Sequence, residues 1–207
     1  LTSSESFTWL REHFNASLTD IKTAADLLLL SGINHIFFHG IPYSPTNAAW
    51  PGWQFYASVN FGPGGGLWHD LPDFNAYIAR CQSILQSGRP DNDVLLYLPV
   101  YDFWNTPDGI LLPFRVHNYD QWLNGSGFEE AAMMLWNKGY AFDMVSDQFL
   151  ARAQVQDGRI LLGGNAYTTL VIPGCRVMPV QTLENLMRLI REGATVLFSS
   201  SLPSDVP

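Results

Sequence analysis

Val94-Leu95-Leu96-Tyr97-Leu98-Pro99-Val100-Tyr101 is an almost unbroken apolar run that leads straight into Asp102. A strand with one face in water alternates apolar and polar residues, whereas a strand covered on both faces has no polar side to show. The run therefore predicts a buried strand of a parallel sheet over Val94 to Tyr101. Downstream the pattern repeats, with helices between the strands. Phe128 to Asn137 reads as a helix ending at Gly139, Tyr140 to Val145 as a second strand and Thr168 to Ile172 as a third. Pro179 opens a helix whose expected apolar face is Leu183, Leu186, Met187 and Ile190; Gly193 stops it, and Ala194 to Phe198 is the fourth strand. Val155 to Leu162 reads as a hairpin turning at Asp157 and Gly158, a pair suited to a type I′ turn. Alternating strands and helices predict a doubly wound α/β domain, and four strands leave such a sheet short of at least one more strand and helix.

Upstream of the run, Gly88-Arg89-Pro90-Asp91-Asn92 is rich in turn formers and predicts a boundary between a domain at 1–90 and another at 91–207. In the first domain, Ser17 or Thr19 can cap a helix over Ile21 to Leu30, Gly32 fits its stop, and Ile33 to Phe38 follows as a strand. His39 to Pro72 is then irregular and carries Trp50, Trp53, Phe55, Tyr56, Phe61 and Trp68. Loops of that length are functional or disordered, and so much aromatic surface argues against disorder. Phe74, Tyr77, Ile78, Cys81, Ile84 and Leu85 recur at helical spacing before Gly88, predicting a helix of roughly 14 residues. Cys81 lies on its apolar face, where a thiol acts as a small hydrophobe.

The composition narrows the function. With 47% hydrophobic and 14% charged residues the chain is no disordered polyelectrolyte. A net charge of −8 argues against nucleic acid and anionic membranes as partners. No segment approaches the ~18 apolar residues of a spanning helix, and no basic region leads into an apolar one near the N-terminus. Leu1 in place of an initiating Met predicts a piece of something longer, or a processed product. Cys81 and Cys175 offer no metal spacing and no disulfide framework. Seven Trp supply flat faces that suit core packing and stacking on sugar rings alike.

Several residues could carry chemistry. The strand ending at Phe37-Phe38-His39-Gly40 runs into Ile41-Pro42-Tyr43, and in a β/α barrel groups at the C-terminal ends of strands converge on the active site. His39 and Tyr43 would then meet a ligand; alternatively His39 is a hydrogen-bonded histidine at a strand end. Glu5 sits in Ser3-Ser4-Glu5-Ser6-Phe7-Thr8, one such unit upstream, and would follow a barrel strand lying ahead of residue 1. Glycoside hydrolysis commonly uses two carboxyl groups, one protonating the leaving oxygen and one activating water, and Glu5 can supply one. The plainer reading is a solvated carboxylate; Glu12 and His13 nearby could be read as a catalytic pair or, more plainly, as two solvated side chains. Gly62-Pro63-Gly64-Gly65-Gly66 lacks the lysine of a phosphate loop, and Pro173-Gly174-Cys175-Arg176 does not match a nucleophile elbow. Asp102 either faces the ligand position of an open sheet or caps a loop. Asn15-Ala16-Ser17 and Asn124-Gly125-Ser126 fit the glycosylation triplet.

Gly32-Ile33-Asn34-His35-Ile36-Phe37-Phe38-His39-Gly40, Pro51-Gly52-Trp53, the stretch Tyr77-Ile78-Ala79-Arg80-Cys81-Gln82-Ser83-Ile84-Leu85-Gln86-Ser87-Gly88 and Asp93-Val94-Leu95-Leu96-Tyr97 together resemble glycoside hydrolase family 106, the α-L-rhamnosidases. The resemblance is dense over residues 1 to 105 and thinner beyond. It implies the C-terminal part of a (β/α)8 barrel, with its last strand at Ile33 to Phe38, followed by a flavodoxin-like, glutamine-amidotransferase-like open parallel sheet. It also implies an inverting hydrolase with two glutamates and a bound Ca2+, a rhamnose-containing glycan as substrate and a periplasmic or secreted location. Glu5 lies where the family carries a glutamate in a similar context, as catalytic base or as a carboxylate near calcium. His39, Tyr43, Trp53 and Trp68 would shape the sugar subsite. The other carboxylate and most of the barrel are missing from these 207 residues, so the chain is expected to be inactive alone and to self-associate. Two other readings remain: a non-catalytic carbohydrate-binding module gripping sugar with its aromatic loop, and an amidotransferase-like enzyme using Cys175.

Overall fold

A computed structural model covers Leu1–Pro207, with side chains described for all residues except Val116 and His117. The chain divides into two units, Leu1–Pro90 and Asp91–Pro207. In the first, β1 (Ser3–Ser6) pairs in parallel with β2 (His35–Phe38), placing Glu5 opposite Phe37 and Ser6 opposite Phe38. The connection between them holds α1 (Leu18–Leu30). Of the two candidate caps Ser17 serves: its hydroxyl accepts from the Asp20 N–H while the Asp20 carboxylate accepts from the Ser17 N–H. β2 starts two residues later than the apolar pattern suggests. The reason is that the Ile33 N–H is taken by the Leu28 carbonyl at the end of α1. The helix α2 (Leu71–Ser87) begins with Pro72 in its first turn and is longer than its apolar spacing implies.

Alternation in the two strands sorts their side chains. Ile36 and Phe38 turn toward the helices and join Phe7, Ile21, Ala25, Leu29, Phe61, Phe74 and Ile78 in one core. Ser3, Glu5, His35 and Phe37 share the opposite face, where Phe37 is 53% exposed.

In the second unit four parallel strands lie in the order β4 (Phe142–Val145), β3 (Val94–Tyr97), β8 (Thr169–Ile172), β9 (Thr195–Phe198). Counted by appearance they run second, first, third, fourth, so the chain reverses its direction of travel between β3 and β8. β3 is buried on both sides, as its apolar run requires. Val94, Leu96 and Val171 pack with Phe128, Ala131 and Leu135 of α4 (Gly127–Asn137). Leu95, Tyr97, Leu170 and Ile172 pack the other way, with Leu186 and Leu189 of α6 (Val180–Arg191). The start of α4 comes so close to the loop after β8 that a Cβ on Gly127 would lie 2.2 Å from the Gly174 carbonyl oxygen.

Three expectations need correcting. β3 ends at Tyr97 rather than Tyr101, because Pro99 has no N–H for the ladder and Val100–Trp104 turn into a short helix, α3. In α6 the buried residues are Thr182, Leu186 and Leu189, while Leu183, Met187 and Ile190 are exposed. Thr182 holds an inner position because its hydroxyl donates to Asp147 Oδ1, at the start of α5 (Asp147–Leu150). The hairpin is also larger than a pair. β5 (Gln154–Gln156) and β6 (Arg159–Leu162) turn at Asp157 and Gly158, and β6 turns again at Gly163 and Gly164 into β7 (Asn165–Tyr167). Both turns have positive φ at both central residues, which suits the twist of the strands they join.

Candidate functional site

Glu5 lies within β1, one residue before its end, rather than beyond a strand that precedes the chain. After Ser6 the backbone turns sharply at Phe7, whose φ of 71 is left-handed and unfavourable for an aromatic residue. Burial of that ring against Phe38 and Phe61, with centroids 5.4 and 5.6 Å away, offsets the cost. The turn brings Thr8 back to the strand end. Its hydroxyl donates to Glu5 Oε1 at 3.1 Å and lies 3.2 Å from His39 Nδ1. His39 is fixed from the other side by its own N–H, which donates to the Ser6 carbonyl at 2.9 Å, and by the Phe55 ring, packed edge-on with centroids 5.0 Å apart. Glu5 and His39 are thus brought together at the C-terminal ends of adjacent parallel strands, through a threonine that no sequence pattern marks.

The aromatic residues divide into two groups. Tyr43 and Trp53 form an edge-to-face pair at 5.8 Å, and both are open to solvent, 73% and 61% exposed. Ser44 holds them together: its hydroxyl accepts from the Trp53 N–H, and a Cβ on Gly52 would collide with it at 2.2 Å. Gly52 also has a φ of +79, so only glycine serves there. Trp68 stands apart. It is partly exposed and makes no ring pairing with Tyr43, Trp53 or His39 among the described residues.

A groove of ≈ 360 Å3 is lined by Glu5, Ser6 and Thr8 together with Leu27 and Leu28 of α1. β1 has no strand partner on its other edge among the described residues. Glu12 and His13 do not act as a pair: His13 Nδ1 is 3.1 Å from the side-chain nitrogen of Asn60, and Glu12 lines a cavity of ≈ 90 Å3 beside Arg11. Among the described residues no three acidic, histidine or cysteine side chains gather as a metal site.

In the second unit the crevice between β3 and β8 is bridged by the chain itself. Asp102 Oδ1 accepts the N–H groups of Arg176 and Val177 at 2.8 and 2.7 Å. This is a capping role, exerted on a loop 74 residues away rather than on the one that follows. Cys175 beside it is buried, and burial, reinforced by the negative charges of Asp102 and Asp147, pushes its thiol up to about 12. Such a thiol is no nucleophile at neutral pH. Tyr97, fully buried, donates to Asp147 at 2.8 Å; burial first, and that bond second, hold its phenol well above the ordinary range. The serines of both glycosylation triplets, Ser17 and Ser126, are helix N-caps.

The family model described as alpha-L-rhamnosidase, glycoside hydrolase 106, matches residues 1–105, a stretch that holds every residue of this strand-end site. The chain belongs to that family. A protein of Formosa agariphila (strain DSM 15362 / KCTC 12365 / LMG 23005 / KMM 3901 / M-2Alg 35-1) named "Putative beta-glucuronidase" is 26% identical over 202 residues, which cover 96% of this chain and 15% of that protein. The family 106 chain therefore spans about 15% of the length of that curated relative.

Proposed function

We propose that this family 106 chain contributes one catalytic carboxylate, Glu5, and part of a sugar subsite to a longer glycosidase that hydrolyses terminal α-L-rhamnosides with inversion. The observation that carries the proposal is the Glu5–Thr8–His39 cluster at the ends of two parallel strands joined by a helix, with a polar face turned away from the helix layer. On this reading Leu1–Pro90 is the terminal portion of a (β/α)8 barrel, and that polar face is its interior. Asp91–Pro207 is part of a flavodoxin-like, amidotransferase-like domain, whose usual strand order, second, first, third, fourth, fifth, the sheet follows up to its fourth strand.

Glu5 acts as base on water, opposite an acid supplied from outside this chain, at the wider carboxylate spacing of inverting enzymes. His39 hydrogen-bonds a sugar hydroxyl, and Tyr43, Trp53 and Trp68 offer stacking faces. A neutral deoxy sugar suits this surface better than a glucuronide: Ser3, Glu5, Thr8, His35, Phe37 and His39 include no lysine or arginine for a sugar carboxylate. Calcium would need six to eight oxygen ligands, and among the described residues no acidic cluster gathers, so Glu5 would supply one ligand to a cage completed elsewhere. A periplasmic or secreted location accords with a glycan substrate.

The test is release of aryl α-L-rhamnoside and aryl β-glucuronide by the longer protein, with and without a calcium chelator, beside the 207-residue chain. Rhamnoside release that needs calcium, and only in the longer protein, is the expected result. Release of the glucuronide alone would overturn the substrate assignment. A second reading, a sugar-binding module without catalysis, is favoured by the exposure of Tyr43 and Trp53; it predicts saturable sugar binding by this chain that is lost in Trp53→Ala.

A further inference from the structure

We infer that Thr8 is a positioning residue that gives its one hydroxyl proton to Glu5 and holds the His39 proton on Nδ1, so that His39 Nε2 faces the sugar as an acceptor. The inference follows from counting protons. A threonine hydroxyl has one hydrogen to donate and two lone pairs to receive. Glu5 as a carboxylate can only accept, so the contact at 3.1 Å uses the Thr8 hydrogen. The contact from Thr8 to His39 Nδ1 at 3.2 Å then has a hydrogen only if the imidazole supplies it. In a neutral ring one nitrogen donates and the other accepts, so a donor at Nδ1 leaves Nε2 with its lone pair free.

The backbone carries independent support. Thr8 reaches this position because Phe7 takes a left-handed conformation, with φ 71, that a buried ring holds in place. Backbone of this kind persists where packing over-determines it, and such places cluster at working sites. A second consequence concerns Glu5: Oε1 already accepts from Thr8, which leaves Oε2 with more of its lone-pair density for a proton from water. The catalytic meaning of the relay rests on the glycosidase reading given above; the proton arrangement does not.

The test is 15N NMR of the 207-residue chain with labelled histidine, the His39 signals assigned by loss in His39→Gln. A protonated Nδ1 and a bare Nε2 on His39 are expected, with Thr8→Ser unchanged and Thr8→Val moving the ring toward the Nε2–H form. A bare Nδ1 in the wild-type chain, or a ring indifferent to Thr8→Val, would overturn the inference. In the longer protein Thr8→Val should lower kcat about tenfold or more with KM little changed, and Thr8→Ser should restore it. Equal kcat in all three proteins would remove the positioning role. If His39 carries its proton on Nδ1 but no glycoside is cleaved, the glycosidase reading fails and the relay stands.

Discussion

The two units handle their sheets in opposite ways. In Asp91–Pro207 the two inner strands of a four-stranded parallel sheet, β3 and β8, are covered on both faces and have no exposed residue. In Leu1–Pro90 two parallel strands are covered on one face only; the other shows Ser3, Glu5, His35 and Phe37. The first arrangement keeps polar groups out or fully engaged, as with Tyr97, Thr182 and Asp147. The second leaves polar groups available. Chemistry is therefore sought in the unit with the unfinished burial, and stability in the other.

The sharpest way to break this contrast is Glu5→Gln in the longer protein, which should cut turnover by about 10²–10⁴ while leaving circular dichroism unchanged. Undiminished turnover would mean that the open face is not the reacting one. Next in size, Leu96→Ala should destabilise the chain by about 2–5 kcal/mol in urea titration, against less than about 0.5 kcal/mol for Phe37→Ala. Comparable losses at the two positions would mean that Phe37 is buried in solution. The open face also predicts that the 207-residue chain self-associates, and that Phe37→Ala weakens the association seen by sedimentation velocity.

Smaller still, Trp53→Ala should weaken sugar binding by about 0.5–1.5 kcal/mol, read by calorimetry. The last effect appears only at alkaline pH. The Cys175 proton is held more tightly in the folded chain, about 12 against an ordinary 9.0. Its contribution is therefore complete below pH 9 and lost as pH rises from there toward 12. Tyr97 acts with the same sign above the ordinary tyrosine range. Urea midpoints measured at pH 8 and at pH 10.5 should diverge more in the wild-type chain than in Cys175→Ala; equal divergence would remove Cys175 as a cause.

What the sequence made legible follows the strength of each local signal. The apolar run at Val94 points to a doubly covered strand, since a strand with one face in water would alternate apolar and polar residues. It overstated the strand's length, because Val100 and Tyr101 stay apolar as the chain turns into a helix beyond Pro99. Hydrophobicity alone places Leu183, Met187 and Ile190 inward on α6, because it does not register that Thr182 becomes an inner residue once Asp147 takes its hydroxyl. Gly163-Gly164 did signal a second turn, and β7 could have been read from it.

At the site, Glu5, His39 and the Tyr43–Trp53 pair were within reach of sequence reasoning, the first two as strand-end residues. Thr8 was not. A threonine three residues past a glutamate has no pattern of its own, and its place depends on a left-handed Phe7 that propensities argue against.

The order of strands in the second unit also bears on how the chain is made. β3 finds its neighbour β8 only after 75 further residues, a separation spanned by the bond from Thr168 to the Asp93 carbonyl. At synthesis rates of roughly 5–20 residues per second, Val94-Leu95-Leu96-Tyr97 would wait several seconds with that edge unpaired. The β5–β7 meander, whose pairings are all local, would already be closing. The same apolar run that gives the finished sheet its core is thus, during synthesis, the strand that waits longest for a parallel neighbour among the described pairings.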